Sequence, residues 1–202
     1  TATPALVNPA TVAQPAPGPD EPLSIAGPQR QPLDLALVID RSGSMAQEGK
    51  LQRAQEAALG LIDRLGTGDR IALIQYDDTA QIVIPSVIAD EEGKARLRSA
   101  VRELRPGGST TLHGGMTLGR DEVQRTIAAG QVSRVILLSD GLANAGESDP
   151  SVIADTARLA AARGVRITAV GVGLEYNEDL MEAIAEAGSG HYYYVSDAVG
   201  LD

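Results

Sequence analysis

The sequence predicts a doubly wound α/β domain: a mostly parallel central sheet, one antiparallel edge hairpin, and helices on both faces. Three observations carry that expectation. Leu35–Ile39 and Val135–Leu138 are wholly apolar runs, as strands covered on both faces require. Amphipathic stretches with helical spacing alternate with such runs along the chain. Only one pair of neighbouring strands, 70–76 and 80–84, is close enough in sequence to form a hairpin, through Asp77-Asp78-Thr79.

Taken in order, Leu35–Ile39 is the first strand. Residues 50–65 place Leu51, Ala54, Ala58, Leu61, Ile62 and Leu65 on one helical face, and Gly66 suits the stop. After the hairpin, Pro85 marks the second of its strands as an edge, because proline donates nothing to a ladder. A helix over 91–104 ends before Pro106, and the loop G-G-S-T-T at 107–111 leads into a helix over 113–129. The strand at 135–138 runs into Ser139-Asp140-Gly141. Pro150 opens a helix at its favoured first position and Gly164 closes it. A strand at 165–172, a helix at 178–187 and a strand at 191–195 complete the series.

The domain so defined covers 33–202 of the 202 residues. Eight of the eleven prolines lie in 1–32, which reads as an extended linker or tether. The chain opens on Thr, which suggests a processed or excised piece, so that any leader or anchor need not lie within it. No run of about 18 apolar residues appears, so no membrane insertion is expected within this chain. Phe, Trp and Cys are absent. The core is therefore aliphatic, and neither a disulfide nor a thiolate metal site can form. A net charge of -10 repels nucleic acid and anionic lipid and suits a cation.

In open parallel sheets ligands bind outside the carboxyl ends of the strands. The residues just past those ends are Asp40, Ser42 and Ser44, then Ser139 and Asp140, with Ser109, Thr110 and Thr111 on the glycine loop. Two carboxylates and several hydroxyls form a hard, all-oxygen donor set, matched to Mg²⁺, Mn²⁺ or Ca²⁺ rather than zinc or copper. Alone, D-R-S-G-S would be a helix cap and S-D-G a turn. Three such segments at one sheet edge are harder to explain as separate caps.

These segments resemble the von Willebrand factor type A (VWA) domain. D-R-S-G-S at 40–44 matches that family's D-x-S-x-S, G-G-S-T-T is similar to its threonine loop, and L-L-S-D-G at 137–141 matches its second Asp segment. The wording around them, L-A-L-V-I-D-R-S-G-S-M, R-V-I-L-L-S-D-G and G-H-Y-Y-Y-V, resembles the bacterial branch. The resemblance spans residues 33–196 and implies a Rossmann-like VWA fold with a metal-ion-dependent adhesion site. It assigns Ser42, Ser44 and Thr110 as hydroxyl ligands to Mg²⁺, with Mn²⁺ or Ca²⁺ as alternatives, and Asp40 and Asp140 as carboxylates holding the ion or its waters. It implies a protein partner that offers Asp or Glu to the metal, and adhesion or display at the cell surface or in the periplasm. The other expectation is an intracellular adaptor working with an AAA+ ATPase of the MoxR or chelatase type.

Enzyme readings fit less well. A haloacid-dehalogenase phosphatase needs a second Asp two residues after Asp40, where Ser42 stands. The Gly43–Lys50 stretch has five intervening residues and is followed by Leu51, so it is no P-loop, and no G-x-S-x-G elbow occurs. His113 and His191 read as structural, and no catalysis is expected. Asp77-Asp78 reads as a hairpin turn, Glu147 and Asp149 as solvent-exposed, and Tyr192–Tyr194 as packed on the last strand.

Overall fold

The computed structural model describes residues 30–173 and 176–195. The expected linker at 1–32 lies outside these residues except for its last three. Six strands among the described residues form one sheet in the order β3-β2-β1-β4-β5-β6. They are β1 (Leu33–Asp40), β2 (Arg70–Tyr76), β3 (Ala80–Ile88), β4 (Val132–Ser139), β5 (Val165–Val172) and β6 (Ser189–Val195). Only the β2–β3 pairing is antiparallel. The helices are α1 (Lys50–Arg64), α2 (Glu91–Glu103), α3 (Leu112–Thr126), α4 (Pro150–Ala162) and α5 (Glu178–Ala187).

Alternation along each strand divides the core. Leu35, Leu37 and Ile39 of β1 meet α1 and α2 through Ala54, Ala58, Ile62, Leu97 and Val101. Ala36 and Val38 face the other way, toward Leu112, Met116, Ile153 and Ile184 of α3, α4 and α5. With so few aromatics, close approach replaces bulk. On α3, a Cβ added at Gly119 would lie 2.5 Å from Val38, and one at Gly115 would lie 2.4 Å from the ring of fully buried Tyr76.

The element boundaries differ in ways that have causes. β3 is an edge, as Pro85 requires, yet it runs on to Ile88 with register shifts in its pairing to β2. Buried Glu122 of α3 accepts the Ser86 amide at 2.9 Å. That bond satisfies an amide next to the proline from outside the ladder. α3 ends at Thr126, not 129, because Ile127 takes an extended ψ of 128°. A 3₁₀ stretch at Gly43–Gly49, unforeseen from spacing, separates β1 from α1.

Candidate functional site

β1 lies between β2 and β4, and the chain leaves it on one face of the sheet and returns to β4 from the other. The crevice between β1 and β4 is therefore the point where the connections diverge. Their register pairs Ile39 with Leu138, which sets Asp40 beside Ser139. Both residues are fully buried, as is Asp140.

Asp40 is held on three sides. Its Oδ1 accepts the Ser42 amide at 2.8 Å, and its Oδ2 accepts the hydroxyls of Ser139 at 2.6 Å and Tyr76 at 3.2 Å. Burial nevertheless pushes its carboxyl above the ordinary value; the Ser139 and Ser42 bonds pull it down and nearby Asp140 pushes it up. Burial, followed by the Asp40 charge, also holds the Tyr76 hydroxyl well above its usual range. Two buried carboxylates this close call for positive charge.

The hydroxyl segments interlock with these strands. Ser42 Oγ and Ser44 Oγ are 3.2 Å apart, and the loop is pinned by Met45, which has no exposed surface. The Gly43 amide donates to Gly108 O at 2.9 Å, and the Gly107 amide donates to Arg41 O at 2.7 Å. Gly43 has no left-handed backbone; it serves close approach, since an added Cβ would stand 3.3 Å from that Gly108 oxygen. Thr110 is 1% exposed. Its amide donates to Asn144 Oδ1 at 2.8 Å and its carbonyl accepts the Asn144 amide at 3.2 Å, so it is tied to the loop after β4. Thr111 Oγ1 lies instead against Gly114 and Gly146.

The β2–β3 turn does more than reverse the chain. Asp77 forms an ion pair with Arg41, its carbonyl accepts the Thr111 amide at 2.9 Å, and Asp78 Oδ1 accepts the Ser109 amide at 2.8 Å. Asp77 and Asp78 thus brace both hydroxyl loops, a role that spacing alone did not indicate.

Asp140 sits on a turn made by left-handed Gly141, whose amide donates to Ser139 Oγ at 2.9 Å. Its Oδ1 accepts the Leu142 amide at 3.3 Å, and its Oδ2 faces Lys50 Nζ at 3.3 Å. Lys50, 2% exposed, was missed from the sequence, where a lysine opening a helix reads as solvated. Glu48 and Gly49, both at positive φ, bend the chain so that Lys50 enters the crevice.

Helix capping does not explain these side chains. α2, α4 and α5 are capped by Asp90, Asp149 and Asn177, each accepting a first-turn amide. No side-chain cap bond comes from Ser42 or Thr111 at the openings of the 3₁₀ stretch and α3, and α1 opens on Gly49, which has no side chain to give one. Asp40, Ser42, Ser44 and Asp140 therefore form a hard oxygen set free of capping duty, with Thr110 on the adjoining loop, and such a set fits a small dication. Among the described residues no three His, Cys, Asp or Glu side chains gather as a metal cluster; the remaining donors here are hydroxyls. His113 meets Thr156 at 3.0 Å and His191 packs edge-on to Tyr193, so neither belongs to the crevice. Glu147 and Asp149 are exposed.

The family pattern of the von Willebrand factor type A domain matches residues 34–202. The chain belongs to the VWA family. That family is one of protein-interaction modules. An uncharacterised protein of Synechocystis is 34% identical to this VWA chain over 169 residues, covering 84% of the chain and 39% of the relative. The uncharacterised Escherichia coli protein YfbK is 32% identical over 163 residues, covering 80% and 28%. The chain thus spans about a third of these relatives' own length. In fold, a von Willebrand factor type A structure from Catenulispora acidiphila superposes with a TM-score of 0.71 at 24% identity, covering 83% of this VWA chain and 39% of that one. The six-stranded, mostly parallel sheet with one antiparallel pair is the VWA form of the Rossmann-like fold.

Proposed function

We propose that this VWA domain is a divalent-cation-dependent protein-binding module of the adhesion type. The observation that carries the reading is the meeting of buried Asp40 and Asp140 with the paired hydroxyls of Ser42 and Ser44 at the carboxyl edge of the sheet, none of them capping a helix. Ser42, Ser44 and Thr110 would hold Mg²⁺ through hydroxyl oxygens, with Asp40 and Asp140 binding it or its waters; Mn²⁺ or Ca²⁺ suits the same donors. The bound ion supplies a Lewis-acidic position for a carboxylate on the partner. Asp40 Oδ2 is oriented by Ser139 and Tyr76, and Thr110 is oriented by Asn144. The partner is a protein presenting Asp or Glu, and the work is binding, not catalysis. The proline-rich composition of 1–32 suits display on a tether at the cell surface or in the periplasm.

Calorimetry with Mg²⁺, Mn²⁺ and Ca²⁺ tests this directly. The wild-type chain is expected to bind at least one of them, and Asp40→Ala and Ser42→Ala to lose binding with unchanged circular dichroism. A partner captured from native extract in Mg²⁺ should elute with chelator. No heat with any of the three ions, or capture indifferent to chelation, overturns the proposal.

A further inference from the structure

Lys50 stands where local preferences disfavour it. It is the first residue of α1, the end at which the helix dipole repels a cation, and it is 2% exposed. Its route into the crevice is built in three parts. Glu48 and Gly49 take left-handed backbone immediately before it, at φ 52° and 69°. Gly173, just after β5 and at φ 90°, leaves room for its stem: an added Cβ would lie 2.6 to 2.9 Å from Lys50 Cε, Cγ and Cδ. Asp140 Oδ2 receives the ammonium at 3.3 Å. A kink, an absent side chain and a carboxylate together aim one positive charge at the carboxylates of the candidate metal site.

Charge decides what that arrangement does. Among the described residues here, Asp40 and Asp140 bring two formal negative charges and Lys50 brings one positive. With a dication bound, these groups would sum to one positive charge, one more than without Lys50. A dication held by Asp140 would draw on the carboxylate that already faces the Lys50 ammonium, so each would weaken the other's hold.

We propose that Lys50 is the resident cation of the crevice: it positions Asp140 before metal arrives, competes with the dication for Oδ2, and biases the loaded site toward an anionic group. This rests on the metal-binding reading above.

The test is Mg²⁺ and Mn²⁺ calorimetry on the whole chain as wild type, Lys50→Met and Lys50→Gln, with thermal melts in chelator and in Mg²⁺. Both neutral variants are expected to bind Mg²⁺ about tenfold tighter or more. They should also melt lower than wild type in chelator, with Mg²⁺ closing the gap. Folded variants that bind with wild-type or weaker affinity would overturn the role of Lys50 and leave the metal site standing. Failure of both variants to fold even in Mg²⁺ would reduce Lys50 to a structural ion pair. Binding by the neutral variants alone would uphold competition by Lys50 but overturn metal-dependent binding by the wild-type domain. Absence of binding by all three chains removes the metal reading and this proposal together.

Discussion

Ser139 Oγ donates to Asp40 Oδ2 at 2.6 Å and accepts the Gly141 amide at 2.9 Å. One hydroxyl therefore joins the carboxylate ending β1 to the turn that carries Asp140 just after β4. The two acids are positioned as a pair, through a residue that itself carries no charge. All of these groups are buried, so each bond stands in for water that cannot reach them.

Ser139→Ala should leave the Gly141 amide without its acceptor and remove a bond from Asp40. An unfolding free energy lower by about 2 kcal/mol is expected, as for a buried group left unpaired. Urea denaturation of the metal-free protein measures it. A loss within experimental error would mean that the two carboxylates are held by the strands alone.

Gly173→Ala and Gly49→Ala separate two costs. Both positions are left-handed, but an added Cβ meets nothing within 4 Å at Gly49 and meets the Lys50 stem at Gly173. Gly49→Ala should cost about 1 kcal/mol, the backbone penalty alone. Gly173→Ala should cost clearly more, because the buried lysine must also move. Equal costs in denaturant melts would show that Lys50 yields freely.

Asp78→Ala removes the acceptor of the Ser109 amide, a bond that also holds the Asp78 carboxyl below its ordinary value. The hydroxyl loop should loosen without unfolding the sheet. Faster amide hydrogen exchange at Ser109 and Thr110, with several-fold weaker Mg²⁺ binding, is the expected pair of results. Unchanged exchange at both amides would assign the bracing to Asp77 and Arg41.

Asp34 supplies a pH dependence remote from the crevice. It is fully buried, accepts Thr126 Oγ1 at 2.7 Å, and has no hydrogen-bond partner for Oδ1 among the described residues. Burial raises its carboxyl above 3.8; Thr126 and Arg70 pull it down less than burial lifts it, and Glu122 adds to the rise. The folded state thus prefers the protonated acid. Its contribution to stability is full below the unfolded value and is lost as pH rises through the folded one. Asp34→Asn should be more stable than wild type at neutral pH, and that advantage should shrink as pH falls toward 4. An advantage constant across that range would assign it to packing.

Residue type and period were enough to expect the sheet, its hairpin edge and the meeting of Asp40, Ser42 and Asp140 at one strand boundary. Apolar runs and strand-end chemistry are local properties, and a linear reading captures them. Lys50, Tyr76 and Asn144 escaped because their roles depend on long-range placement. Tyr76 reads as the end of a strand until register sets its hydroxyl on Asp40. Asn144 reads as loop until its amide group meets Thr110. Lys50 is brought inward by a backbone bend that no hydrophobic period encodes. Asp77 and Asp78 were rightly placed in a turn, but a turn's side-chain partners lie elsewhere in the chain.

β1 begins at Leu33 and ends at Asp40, so the foot of the strand and the crevice are seven residues apart, about 23 Å. β1 is flanked along its length by parallel ladders to β2 and β4. A partner gripped at the crevice while the chain is anchored before Leu33 would therefore pull β1 lengthwise. In that case the hydrogen bonds on both flanks would resist sliding together instead of unzipping singly, and grip and anchorage would act as one mechanical piece.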